Sequence, residues 1–448
     1  MDVKENFMGN YSKAEILRIV EDEDVEFIRL QFTDMFGNLK NIAIPASRLI
    51  KAMENRCTID MASLEGFDRG EETDLYLKPD LNTFNILPWR PQQGKVARLL
   101  CDVCMENGEE YAASPRQILK RAVKRAENHG YTFQLNPECE FFLFHTDDNG
   151  RPTTLTHERA GYLDISPIDL GENTRRDIIL TLEEMGYEID SSHHEIAPAQ
   201  HEIDFTFEDA LTVADKLMTF KMVVRTIAKR YGLHATFMPK PRMDMNGSGM
   251  HLNMRLLKDG KNVFEDEEKE LSRAGEAFLA GILRHAAGMT AIFNPLVNSY
   301  KRLVPDSSAP SEITWSKRQR NTLIHVRKRM SEGLNLELRS PDSSSNPYLV
   351  FALCLEAGLD GIERQLSSPQ ELTEDIRKLS GKEKKEQGIV RLPENLGEAL
   401  EAMQEDALVL ETLGEPYASE YWQVKRKEWK SYLKQVSEWE LDRYLYLV

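Results

Sequence analysis

PECEFFLF, residues 137–144, sets two glutamates one residue apart at the mouth of an apolar run. Side chains alternate between the two faces of a strand, so Glu138 and Glu140 point the same way and Cys139 the other. Like charges side by side on so hydrophobic a strand have two readings. They lie on a solvated surface, or they are held close because a cation sits between them.

The same oddity recurs along the chain. In GMHLNMRL (249–256), Met250, Leu252, Met254 and Leu256 share one face, leaving His251, Asn253 and Arg255 on the other. In LNLELRS (334–340), three leucines oppose Asn335, Glu337 and Arg339. In QHEIDFTF (200–207), Glu202 and Asp204 oppose Ile203, Phe205 and Phe207, and SSHHEIAP adds His193, His194 and Glu195 just upstream. One such strand fits a half-solvated sheet. Several of them favour an open, curved sheet lining a cavity. Oxygen ligands with one or two imidazoles suit magnesium or manganese better than zinc, and magnesium points to phosphate chemistry. The sequence has no Walker or dinucleotide fingerprint. The short glycine turn NGSGMH (246–251) lets backbone N–H groups approach an anion.

At 448 residues the chain has room for two domains and a large core. A net charge of −17 argues against a nucleic-acid surface. The five cysteines form no disulfide framework; Cys101 and Cys104 make a single CxxC without a second ligand pair and read as packing. Neither a signal peptide nor a membrane span is evident, which leads to the expectation of a cytoplasmic protein.

VEFIRLQFTDMFGNLKNIAIP reads as a hairpin around Gly37, and KVARLLCDVCMENGEEY as two strands around Gly108, with a helical signal at 46–55 between them. A helix opens at Ser114–Pro115 and closes on Gly130, marking a domain boundary. Strands and helices then alternate. The charge run GKEKKEQG in segment 380–396 reads as a solvated loop, and the tail from about 397 as amphipathic helix.

Several long motifs resemble type I glutamine synthetases, especially the shorter class typical of Gram-positive bacteria: IRLQFTDMFGNLKN, EEMGYEIDSSHHEIAPAQHEIDF, HATFMPKP, NGSGMH, NPLVNSYKRLVP and SNPYL, in that order. The resemblance implies an α+β chain. A small N-terminal β-grasp-like domain would cover 1–110, and 111–448 a large catalytic domain with a curved antiparallel sheet and surrounding helices. It also implies a homo-oligomer of two stacked six-membered rings, each active site lying between neighbours. Such a site binds ATP, L-glutamate and two divalent cations, magnesium or manganese, and ligates ammonia to the γ-carboxylate through an acyl phosphate.

Residue by residue, the resemblance implies that Glu140, Glu195 and Glu202 hold the cation on the glutamate side, and Glu138, His251 and Glu337 the one that clamps ATP. It implies that Arg302 holds the glutamate α-carboxylate, that Asn246 and Gly247 line its pocket, and that Arg320 and Arg339 lie near the phosphoryl group. Asp60 and Ser63 match the segment that receives ammonium for the neighbouring subunit. Arg69 matches an arginine linked to feedback inhibition.

Some family positions are not matched. The family's DGSS is DMAS here (60–63), and its closing loop VPGYEAP is VPDSSAP (304–310), so that Ser308 replaces a glutamate that helps take a proton from the amine. Asp306 is the carboxylate nearest in sequence. In NRSPLIRIP, here QRNTLIHVR, the second arginine becomes His325, and an arginine expected near the nucleotide is Asn335. Arg327 restores positive charge if its segment is extended; otherwise RKRMSEG is a solvated basic loop. Three readings follow: ammonia ligation, ligation of another primary amine to glutamate, or a low-activity regulatory or binding protein.

Overall fold

The computed structural model describes residues 11–54, 57–60, 64, 74–90, 93–305, 307–329 and 333–448. Ser63, Arg69 and Asp306 lie outside the described residues.

The N-terminal part is a sheet in the order Leu39–Pro45, Val25–Thr33, Lys95–Cys104, Asp74–Pro79, Cys57–Asp60. Gly37, at φ +82°, turns the expected hairpin between its first two strands. Its central pair, Val25–Thr33 and Lys95–Cys104, is parallel. The expected second strand after Gly108 is reduced to a single bridge, Cys104 to Glu110, because the chain leaves the sheet there for the helix Pro115–Asn128. Cys101 and Cys104 are buried, free thiols of the sheet, in keeping with packing.

Ser114 occupies the N-cap position of that helix with Pro115 inside its first turn, and Gly130 follows its end at φ +79°. Beyond it lies a ten-stranded sheet. Its main path runs Trp315–Ser316, Ile324–Arg329, Gly333–Leu338, Met250–Lys258, Tyr131–His145, Gln200–Phe205, Ile189–His194. The pairings along it are antiparallel apart from the first. Long helices, Ala210–Arg230, Arg273–Phe293 and Pro347–Glu363, supply much of the core. The last two cross backbone to backbone. A Cβ on Gly281 would lie 2.0 Å from the Ala357 carbonyl oxygen, and one on Gly361 2.0 Å from that of Ala277. Only glycine permits that approach.

Segment 380–396 is not wholly a loop: Gly381–Glu386 is a short helix. Ser380 and Glu383 form a reciprocal capping box, which satisfies backbone donors that a run of charges alone would leave to water. The tail is helical as expected, from Leu396–Glu405 through Glu438–Tyr444.

One continuous apolar core joins the two parts, from Ile16 and Leu30 to Leu353 and Tyr421. A buried ion network reinforces the junction. Arg116 donates to Asp80 (2.7 Å), Asp102 (2.6 Å) and Asp215 (2.8 and 2.9 Å), and the Tyr348 hydroxyl also donates to Asp215 (2.6 Å). Removing the guanidinium leaves Asp80 and Asp215 without their cation and Asp102 with Lys120 alone (2.5 Å). Arg116→Met is therefore expected to destabilise the chain by about 3–5 kcal/mol, read as a lowered urea midpoint; an unchanged midpoint would show that solvent or Lys120 carries the charge.

Candidate functional site

Strand register assembles the polar faces into rows. Glu138 lies opposite His251 on one neighbour and Asp204 on the other. Glu140 lies opposite Glu202, which in turn faces His193. Glu337 is flanked by Asn253 and His325. Directly opposed residues share a face, and Glu138, Glu140, His193, Glu202, Asp204, His251 and Glu337 all line one cavity of about 470 Å³, with Asn253 and His325 packed against its acids. The other face of Tyr131–His145 carries buried Cys139, Phe141 and Leu143.

Two sets of ligand atoms form within the cavity. Glu138, His251 and Glu337 offer atoms lying within 4.8 Å of one another, as do His193, Glu195 and Glu202. Glu140 lines the same cavity, accepting from Gln200 Nε2 (2.9 Å) and the Gly249 N–H (2.8 Å). Asn246, Gly247, Arg302, Arg320 and Arg339 also line it. Gly247 has no room for a side chain: a Cβ there would lie 2.3 Å from the Pro239 carbonyl oxygen and 3.1 Å from Arg302 Cγ. Arg302 is buried and donates to the Ser340 carbonyl at 2.8 Å. Asp60 lies elsewhere, exposed at the edge of the N-terminal sheet opposite Asp74.

The strand Ile324–Arg329 continues the main sheet, so its basic residues are not a solvated loop. His325 Nδ1 is 3.0 Å from Glu337 Oε2. Arg327 Nη1 donates to Glu138 Oε1 at 2.6 Å, and Arg339 donates to Glu337. Asn335 is buried opposite Arg327. Ser308 is exposed on the cavity.

Charge is therefore balanced unevenly. Burial would raise the Glu138 carboxyl, but His251 and Arg327 outweigh it and hold it far below the usual range. Glu337 is held near 2, burial being outweighed by His325 and Arg339. Across the cavity the acids go the other way. Burial, then Glu195, pushes Glu140 up to about 8, and burial with Asp204 and Glu140 pushes Glu202 well up. Asp204 rises to about 6, through burial and Glu138. His193 Nδ1 is buried without a hydrogen-bond partner among the described residues. A crowded set of carboxylate oxygens with one orphaned imidazole nitrogen fits a divalent cation such as magnesium or manganese.

A third cluster, Glu158, Asp169, His194 and His201, lies on the opposite face and is closed by Arg175. Arg175 is 2.8 Å from both Asp169 and His201, and His194 is 2.6 Å from Glu158. The guanidinium already supplies its positive charge.

Sequence reasoning missed Gln200, Ser191 and Tyr162, which also line the cavity. Gln200 was signalled by the alternation it shares with Glu202 and Asp204; Tyr162 lies outside any strand and carried no periodic signal.

A small mixed sheet joined to a large, mostly antiparallel one, with two carboxylate–histidine sets facing one arginine-rimmed cavity, defines a class of sites suited to anionic ligands held with divalent cations. Models of the glutamine synthetase β-grasp domain and catalytic domain match residues 24–106 and 112–444. Proteins named glutamine synthetase match nearly end to end. That of Clostridium saccharobutylicum is 53% identical (98% of this chain, 99% of that one) and that of Thermus thermophilus 49% (97% and 99%). Among solved structures, a GmaS/ADP complex superposes with a TM-score of 0.87 at 32% identity, covering 96% of this chain and 99% of that one. The chain belongs to the glutamine synthetase family.

The raised carboxyls make a pH prediction. Glu140 goes from an ordinary 4.5 to about 8, so it binds its proton more tightly in the folded chain than in the unfolded one. Its contribution to stability is full below 4.5 and lost as pH rises toward about 8. A divalent cation taking the ionised carboxylates offsets that loss. Scanning fluorimetry with Mn²⁺ against EDTA should therefore show a larger rise in Tm near pH 8 than near pH 5; equal rises would refute the assignment of charge.

Proposed function

We propose that the protein is a glutamate–ammonia ligase, which couples ATP hydrolysis to formation of glutamine from L-glutamate through γ-glutamyl phosphate. The observation that carries this reading is the convergence of both carboxylate–histidine sets and Arg302, Arg320 and Arg339 on one cavity. Arg302, fixed by its bond to the Ser340 carbonyl, holds the α-carboxylate of glutamate in a pocket floored by Asn246 and Gly247. Arg320 and Arg339 face the phosphoryl group as it passes from ATP to the γ-carboxylate, where fixed positive charge lowers the barrier. Glu140, Glu195 and Glu202 hold one magnesium or manganese ion, and Glu138, His251 and Glu337 a second. When bound, the cations supply charge stabilisation for the transferred phosphoryl group.

Ammonia then displaces phosphate from the acyl phosphate. Asp60, with Ser63, receives ammonium in the site of a neighbouring subunit. The exposed edge position of Asp60, outside the cavity of its own chain, supports its use by a second subunit; that the subunits form two stacked six-membered rings is carried by the family resemblance.

A second reading is ligation of a larger primary amine. Ser308 favours it, since a short hydroxyl on the cavity leaves room that the family's glutamate fills and is no base at neutral pH. Phosphate release from ATP with magnesium and glutamate should depend on ammonia. Turnover with methylamine or ethanolamine alone would overturn the first reading in favour of the second, and silence with every amine would overturn both. Ser308→Glu is expected to raise the ammonia-dependent rate by up to ~10²; no gain would show that this position does not limit proton removal.

A further inference from the structure

We propose that Arg327 is a resident counter-ion of the nucleotide-side carboxylates, and that a divalent cation enters the Glu138–His251–Glu337 set only as nucleotide phosphate draws Arg327 away. The inference rests on the nucleotide reading above for the identity of the phosphate ligand.

The guanidinium lies between the two carboxylates of that set. Its Nη1 is 2.6 Å from Glu138 Oε1, 3.6 Å from Glu337 Oε1 and 3.3 Å from Asn253 Oδ1. Every carboxylate oxygen of the set already faces a side-chain partner. Glu138 Oε1 takes Arg327 and Asn253 (3.0 Å), and its Oε2 is 3.5 Å from His251. Glu337 Oε1 takes Arg339, and its Oε2 faces His325 at 3.0 Å. Magnesium needs oxygen lone pairs at about 2.0–2.1 Å. A guanidinium already on one ligand opposes it by charge and by bulk.

The other set is built differently. Among the described residues, no lysine or arginine is paired with Glu195 or Glu202; their ion-pair neighbour is His193, at 3.9 and 3.6 Å. Arginines pair with the carboxylates of the first set, Arg327 with Glu138 and Arg339 with Glu337, and Arg327 is the one that reaches both carboxylates.

Arg327 is also placed to leave. Its side chain is 22% exposed and lines the cavity, whereas Glu337 is 3% exposed and fixed. A planar guanidinium fits phosphate oxygens as well as carboxylate oxygens. Incoming phosphates would therefore exchange partners with Glu138, which frees its oxygens for the cation. Binding of nucleotide and of the second cation is then coupled, and the coupling is reciprocal.

The test is a count of Mn²⁺ bound per chain, from the free-Mn²⁺ electron paramagnetic resonance signal, on the full chain. Without nucleotide, the wild type should bind one ion tightly and Arg327→Ala two, the second tightening by ~10–100-fold. A non-hydrolysable ATP analogue should bring the wild type to two. The ion retained by the Glu195–Glu202 set reports that the variant is folded; if Arg327→Ala does not fold, the uncharged Arg327→Gln answers the same question. Two equally tight ions in the nucleotide-free wild type, or no gained ion in either variant, would overturn the proposal. A gain in the variant with no gain from the analogue would overturn the coupling to phosphate. None of these counts requires turnover, so a protein inactive with every amine would defeat the ligase reading and leave this result standing.

Discussion

Burying acids on one face of the strand Tyr131–His145 is the constraint on which the rest of the structure depends. Its other face is fixed by Cys139, Phe141 and Leu143, all buried, so the strand cannot turn Glu138 and Glu140 away from the cavity without exposing the core. Each carboxylate must then be neutralised where it stands, since an unpaired buried charge costs several kcal/mol. The sheet meets this demand unevenly. On the side of Ile324–Arg329, arginine and histidine arrive from the neighbouring strand; on the side of Gln200–Phe205, protons or an external cation must serve.

Much of this was legible in the sequence because period-2 alternation is local. Glu138, Glu140, Glu202, His251 and Glu337 each declared themselves as polar residues opposite apolar ones, and the structure puts each on the cavity. The hairpin at Gly37 and the helix after Ser114 were equally local, set by glycine and proline. Cross-strand register is not local. That Arg327 meets Glu138, 189 residues away, follows from three successive strand pairings that no stretch of sequence displays. The helix Gly381–Glu386 was obscured for another reason: its charges suggested a loop, and the signal lay in the Ser380–Glu383 spacing.

The chain's departures from its family divide along the same line. The cavity floor, made of strand residues bonded into rows, keeps the acids and histidines the resemblance called for. Changes at Ser308, His325 and Arg327 lie on the loop and the strand beyond the acids, and one further change, Asn335, is buried on the inner strand Gly333–Leu338 opposite Arg327. Chemistry that depends on the floor is thereby separated from the choice of amine and the handling of phosphate.

The crossing at Gly281 and Gly361 bears on how such a frame survives divergence. No side chain separates the two helices there, so main-chain atoms alone set their spacing. Substitutions elsewhere along the helices can alter the volume of the core while the spacing at this point stays a property of the backbone. The two glycines act as a fixed gauge: the distance between these helices is set by peptide groups, and the sheet packed against them inherits it.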